Sequence, residues 1–214
     1  MILAIDTSIG TCVALVATDG TTIAEHASAD TRGHAESIDL LLHALFTGTA
    51  QVEDVWHANS AARQKTGAVE AVVVGMGPGP FTGLRVGIAA ARAFALGIGV
   101  PIWPVLSHDA VASADGSAST PFVVMTDAKR REHYLTRYSG VADGVPERAG
   151  GSELVRLDGE EPDVRTVRPA AVSAAHLARV AIARRARGLA TGPDQPQYLR
   201  EPDAVPPAGP KRVS

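Results

Sequence analysis

The sequence predicts a mixed α/β protein of two halves. Two observations carry that prediction. Short apolar runs of strand length alternate with stretches of helical periodicity from Ile2 to Arg187. An apolar run closed by an aspartate and followed by a second strand occurs twice: Ile2 to Ile5 ends at Asp6, and Val123 to Thr126 ends at Asp127. Strand–turn–strand units are common, so the echo alone suggests a duplication without establishing one. Residues 115–120 (DGSAST) are the best linker between the halves. The division expected is 1–105, a smaller unit at 106–200, and a disordered tail at 201–214.

The elements follow in order. Ile2 to Ile5 reads as a buried strand, and Cys12 to Ala17 as a second, apolar on both faces. Asp19-Gly20 is a hairpin signal, and Thr21 to Ala27 returns as a third strand. Gly33 to Phe46 has helical spacing, with Ile38, Leu41, Leu42 and Leu45 on one face. Residues 47–70 are polar and irregular, with room for one short helical piece. Ala71 to Val74 is a strand, 77–81 a tight loop, and Thr82 to Leu96 a helix. Ile102 to Val105 reads as a strand and Ser107 to Ala114 as a short helix. In the second half, Val123 to Thr126 and His133 to Tyr138 are strands, and Ala174 to Arg187 is a helix. Residues 140–152 and 158–170 read as loops. Everything after Gly192 reads as a proline-rich tail.

Composition narrows the function classes. The chain has 214 residues, 45% hydrophobic and 20% charged, enough for a sizeable core. Its net charge of −3 gives no general attraction to nucleic acid. No run approaches the roughly 18 uninterrupted apolar residues of a membrane helix, so no membrane partner is expected. MILAIDTS lacks a basic n-region, which argues against a signal peptide. A single cysteine, Cys12 in an apolar strand, fits a reducing compartment and a cytoplasmic location.

The densest local signal is GMGPGPFTGLRVG, from Gly75 to Gly87. A glycine loop that opens a helix is a general anion site. This one has no Gly-Lys-Ser/Thr and is not a dinucleotide fingerprint. Pro78 and Pro80 remove two N–H donors, and Arg85 is the one cation nearby. Behind the loop, Gly83, Gly87, Ala91, Ala95 and Gly99 recur every four residues, a helix face almost without side chains. Glycine in a helix costs up to about 1 kcal/mol, which argues for close packing on another backbone. That backbone is either the chain's own sheet or a partner helix. Asp6-Thr7-Ser8 at a strand end can hold magnesium or phosphate, or can simply satisfy a turn.

No two of the seven histidines lie four apart, and no cysteine or aspartate completes a metal set; surface or capping roles are expected. Ser107-His108-Asp109 are adjacent, which is not how a triad is assembled. Arg179, Arg184, Arg185 and Arg187 read as a solvated helix face. No catalytic residue and no metal ligand is expected.

Together MILAIDTS, RGHAES, GPGPFTGLRVG, TDAKRREHY and PQYLREPDA resemble the bacterial TsaB (YeaZ) family, over most of the chain. The resemblance implies an actin-like ATPase superfamily fold with two ribonuclease-H-like halves, the second reduced. It implies a role in forming threonylcarbamoyladenosine beside the tRNA anticodon, as a non-catalytic paralogue paired with TsaD. TsaE and the carbamoyl-AMP synthase TsaC would act with it, and tRNA would be met at the level of the complex. TsaD carries two histidines four apart; here His34 is followed by Ile38 at that spacing. The implied interface is Ile38, Leu41, Leu42, Leu45, Gly83, Gly87 and Ala91. Asp6, Thr7, Ser8 and Arg85 are the implied anion or nucleotide contacts. The resemblance implies no cofactor of the chain's own, with ATP or ADP placed at the complex boundary. Pro80 departs from the family's usual serine, and residues 47–70 are longer than in a minimal member. Two other readings stand beside it: an actin-like ATPase or kinase active alone, and a self-associating homodimeric module. If the small-residue stripe faces a partner, Gly87→Leu should abolish pairing and leave the monomer folded.

Overall fold

The structure is a computed structural model that describes residues 1–30, 33–48, 68–116, 120–157 and 162–200. Most of the long stretch at 47–70, part of the linker and the tail from 201 lie outside the described residues.

The first half is a five-stranded sheet in the order β3-β2-β1-β4-β5. Its strands are β1 (Ile2–Asp6), β2 (Thr11–Val16), β3 (Thr22–Ser28), β4 (Ala71–Gly75) and β5 (Ile102–Val105). The first three pair antiparallel, and β4 and β5 continue parallel to β1. β1, β2 and β4 are buried along their whole length, as their unbroken apolar runs require. β3 alternates half-buried and exposed residues, as an edge strand does. Helices α1 (His34–Thr47) and α2 (Phe81–Ile98) cover one face. Each stops at a left-handed glycine, Gly48 and Gly99. Their core joins Leu45, Phe46, Leu84, Ile88 and Ala91 to Leu3, Ile5, Val72 and Val74. Phe46 stacks on Phe94 at 5.7 Å.

The second sheet runs β10-β6-β7-β8, with β9 also on β7. Its strands are β6 (Phe122–Asp127), β7 (Glu132–Ala142), β8 (Val145–Arg148), β9 (Glu153–Arg156) and β10 (Arg165–Val167). β8 and β10 fall in stretches expected to be loops, and β9 lies between those stretches, where no element was expected. They have three or four residues each, too short for a period to show, and β8 contains Pro146.

The echo between halves is a topological fact. β1 pairs antiparallel with β2, Asp6 opposite Cys12, and parallel with β4. β6 pairs antiparallel with β7, Asp127 opposite His133, and parallel with β10. Both aspartates accept a backbone N–H two residues on, at 2.8 Å: Ser8 onto Asp6 and Lys129 onto Asp127.

Helices α3 (Ser107–Asp115) and α4 (Ala174–Ala186) lie in the core shared by both sheets. That core runs from Ile2, Ala14 and Val73 through Val111, Leu177 and Val180 to Phe122 and Tyr138. The boundary near 105 separates the sheets, but α4 packs back onto β1 and β2. Alanines at 174, 175, 178 and 181 let α4 fit between layers. Its first turn is tied to the other half: Glu25 accepts from the Ser173 hydroxyl (2.8 Å) and the Ala175 N–H (3.1 Å). A carboxylate there also meets the positive end of the helix dipole.

Two histidines expected at the surface are buried. His34 bonds Thr11 through Nδ1 (2.9 Å). His108 is 1% exposed, between the hydroxyls of Thr136 (2.8 Å) and Thr126 (3.0 Å). Burial holds His108 neutral, its pKa pushed down to about 3. The unfolded chain binds a proton near pH 6.5 and the folded chain does not. The stability His108 gives is therefore present above pH 6.5 and lost as pH falls toward 3. Between pH 6 and 5, wild type should lose up to about 1.4 kcal/mol more than His108→Gln, measured by urea denaturation. Parallel losses in the two proteins would show that His108 does not set this slope.

Candidate functional site

The Asp6 turn and the glycine loop meet at the end of the first sheet. Asp6 is 2% exposed. Its Oδ1 accepts from the Ser8 N–H (2.8 Å) and the Ser8 hydroxyl (2.6 Å). Its Oδ2 accepts from the Ser107 hydroxyl at 2.5 Å, and the Gly77 N–H donates to that same hydroxyl at 3.0 Å. The Ser107 N–H in turn donates to the Gly77 carbonyl (2.7 Å). Burial pushes the Asp6 carboxyl up from the usual range, against the hydroxyls of Ser107 and Ser8, which favour the charged form.

Glycine is required here by space. A Cβ on Gly75 would lie 1.8 Å from Asp6 Oδ2, and one on Gly79 would lie 2.9 Å from Ser8 Cα. A Cβ on Gly83 would meet the Thr7 carbonyl at 2.8 Å and His34 Nε2 at 2.9 Å. On Gly87 it would meet the Thr7 hydroxyl at 2.2 Å. Thr7 then donates to the Gly83 carbonyl at 2.7 Å. The first two residues of the small-residue stripe thus pack against the chain's own Asp6 turn, and Ala91 and Ala95 continue into the apolar core.

This corrects the interface expected from the sequence. Gly83, Gly87 and Ala91 face inward, and Ile38 (5% exposed) and Leu45 (3%) are buried in the same chain. Leu41 and Leu42 are half-buried. The apolar surface left open on these helices is Leu40, 40% exposed, and Leu96, 85% exposed, with Ala89 and Ala93 on the outer side of α2. Periodicity could not separate the two faces, because alanine and glycine recur all round α2.

The expected anion contacts are not assembled either. Asp6, Thr7 and Ser8 are together, but Arg85 lies over the Phe81 ring at 4.6 Å instead of reaching them. A metal–phosphate group does not fit: three donors already occupy the Asp6 carboxylate, and Gly79 presses on Ser8.

Two features were missed in the sequence. Ser107 closes the Asp6 network; read with its neighbours it looked like a broken triad. The segment before residue 201, expected to be tail, packs across the molecule. Gly192 lies against the Pro104 carbonyl, where a Cβ would sit at 2.6 Å. The Gln197 N–H donates to the Met76 carbonyl (2.8 Å), and Tyr198 meets Phe81 at 4.8 Å. Arg200 donates to the Ala128 carbonyl (2.7 Å) and to Glu132 (2.6 Å) in the second half. The PQYLREPDA motif was the available signal.

A surface cavity of about 460 Å³ lies elsewhere, lined by Arg148, Arg184 and Arg187 with Glu147 and Leu189. Its cations are matched: Arg187 pairs with Asp143, and Arg148 and Arg184 flank the buried Asp109.

The comparisons with known proteins agree with this architecture. A family model described as tRNA N6-adenosine threonylcarbamoyltransferase (TsaD) matches residues 55–156. An uncharacterised protein of Mycobacterium tuberculosis is 36% identical over 146 residues, 67% of this chain and 60% of its own length. The tRNA threonylcarbamoyladenosine biosynthesis protein TsaB of Escherichia coli is 29% identical over 148 residues, 67% of this chain and 57% of its own. The chain thus spans about 60% of the length of these curated relatives. A Pseudomonas aeruginosa structure described as similar to the peptidase YEAZ superposes with a TM-score of 0.71 at 22% identity, covering 93% of this chain and 99% of that one. YeaZ from the same organism gives 0.66 at 21%, covering 87% and 94%. Two sheets with three antiparallel and two parallel strands in the first, and a reduced echo in the second, define an actin-like α/β fold shared with these two structures. In sequence and in fold the chain is thus similar to proteins described as TsaB or YeaZ.

Proposed function

We propose that this chain is the non-catalytic TsaB-type subunit in forming threonylcarbamoyladenosine on tRNA, and that it pairs with a TsaD-type catalytic subunit. One observation supports the non-catalytic part most directly. The Asp6 turn, which an independent phosphotransferase of this fold would need for a metal and a phosphate, is filled by Ser8, Ser107 and the glycine loop. The tRNA part rests on similarity to the Escherichia coli protein and to the TsaD family model. The pairing surface is the outer face of α1 and α2 around Leu40, Ala89, Ala93 and Leu96, where exposed apolar side chains are available to a partner. TsaE and TsaC would complete the pathway, and the complex would work in the cytoplasm.

The test is depletion of the protein followed by mass spectrometry of tRNA nucleosides. Threonylcarbamoyladenosine should fall several-fold, return with the wild-type gene, and fail to return with Leu96→Asp although that variant stays folded. Unchanged nucleoside levels on depletion would sink the reading. ATP hydrolysis by the isolated chain that Asp6→Asn abolishes would favour an independent enzyme.

A further inference from the structure

We infer that Arg85 and Arg92, on the outer flank of α2, recognise carboxylates on a helical surface of the TsaD-type partner. The inference rests on the pairing reading above and deepens it by stating the chemistry that the partner must present.

The first observation is charge without a counterpart. α2 contains two charged residues, Arg85 and Arg92, and no acid. Both are exposed. Among the described residues neither forms an ion pair and neither guanidinium donates a hydrogen bond. The arginines near the end of α4 differ. Arg179 donates to the Gly20 carbonyl (2.9 Å) and the Thr22 hydroxyl (2.8 Å). Arg184 and Arg187 pair with Asp109 and Asp143, and Arg185 lies over Trp103 at 4.3 Å. Those side chains are used by their own chain, and the charges of Arg85 and Arg92 are not.

The second observation is that Arg85 is held in place without being neutralised. Its guanidinium lies over the Phe81 ring at 4.6 Å, and Phe81 is braced in turn by Tyr198 at 4.8 Å. A ring carries no net charge, and stacking occupies the flat face of a guanidinium and not its N–H edge. That edge stays open to an external carboxylate, which accepts it in a fork.

The third observation is placement. Arg85, Ala89, Arg92 and Leu96 follow one another at spacings of four, three and four residues, which is one flank of a helix. Leu96 is 85% exposed, and Ala89 puts only a methyl group in the way of close approach. The flank is thus continuous with the apolar pairing surface. Seven residues set the two arginines roughly 10 Å apart along the helix. Phe94, which stacks on Phe46 of α1, lies about 200° round α2 from Arg92. The arginine flank therefore turns away from α1, and the exposed Glu36 and Asp39 of α1 do not serve it.

A helical surface with carboxylates at the matching separation meets both cations while Leu96 is buried beside them. Leu96 favours a protein occupant, since a phosphate backbone gains nothing from an exposed leucine. In a second copy of this chain, Glu36 and Asp39 stand only roughly 4.5 Å apart along their helix and cannot meet both arginines. RNA and a second copy remain as outcomes of the test.

The test is biolayer interferometry of the full chain against the TsaD-type subunit of the same organism, at several salt concentrations. Wild-type pairing should weaken as salt rises. Arg85→Glu/Arg92→Glu should weaken it at least tenfold, chiefly through the association rate. Arg92→Glu alone leaves the Phe81 stack intact; it should melt as wild type does and still pair several-fold more weakly. Lysine substitutions of the partner's surface acids, made one at a time, should include one that pairs better with the double reversal than with wild type. Equal pairing by the double reversal, pairing indifferent to salt, or no such lysine overturns the inference. So does a double reversal that loses self-association, or binding to a labelled anticodon stem-loop RNA, while keeping the partner. If Leu96→Asp abolishes pairing and the double reversal does not, only the inference fails. No pairing by wild type removes the reading beneath it.

Discussion

Gly87→Leu should leave no stably folded chain, a loss of more than about 4 kcal/mol by thermal or urea unfolding. Even a methyl group at position 87 would lie 2.2 Å from the Thr7 hydroxyl, and that hydroxyl is bonded to the Gly83 carbonyl. Neither side can yield cheaply. Thr7 sits between Asp6 and Ser8, which are bonded to each other, with Asp6 also held by Ser107, and His34 lies close to Gly83 on its other side. A leucine would have to lift α2 off the sheet, exposing Leu84 and Ile88. The sequence-based expectation was a folded monomer that cannot pair. A folded Gly87→Leu chain that has lost only its partner would restore that expectation and refute the inward packing. Leu96→Asp is the proper probe of pairing, because Leu96 is 85% exposed.

Asp6→Ala should cost about 3 kcal/mol, whereas Asp6→Asn should cost roughly 1 and preserve tRNA modification in cells. The carboxyl joins three segments: its own turn through Ser8, the start of α3 through Ser107, and the glycine loop through Ser107 and Gly77. Alanine strands three buried donors at once. Asparagine keeps an acceptor for Ser8 and presents its amide to the Ser107 hydroxyl. The pair of variants separates scaffold from catalyst. If Asp6→Asn folds normally but abolishes modification, the carboxylate is chemical and the structural account of Asp6 is wrong.

The central strands and α1, α2 and α4 were legible because their apolar runs are long or periodic. Both aspartate turns were legible as a repeat. β8, β9 and β10 were not, since three or four residues cannot display a period. The site was legible only in part. Glycine spacing revealed that α2 must approach another backbone closely, but not which one, since Ala89 and Ala93 mirror Gly83 and Gly87 on the opposite side. Ser107 could not be assigned because its partner Asp6 is 101 residues away. Arg85 was credited with an anion because it was the nearest cation in sequence, and its ring contact with Phe81 depends on a helix geometry that spacing does not report.

The segment from Gly192 to Arg200 acts as a length gauge. Gly192 is fixed on β5, Gln197 and Tyr198 on the glycine loop and the start of α2, and Arg200 on the far hairpin. Each anchor belongs to a different part of the molecule, so the number of residues between them is itself a constraint. Inserting or deleting one residue between Gly192 and Gln197 would satisfy one end only by misplacing the other. Small shifts of the second half against the first would therefore be felt along this segment, from the far hairpin back to the loop beneath α2.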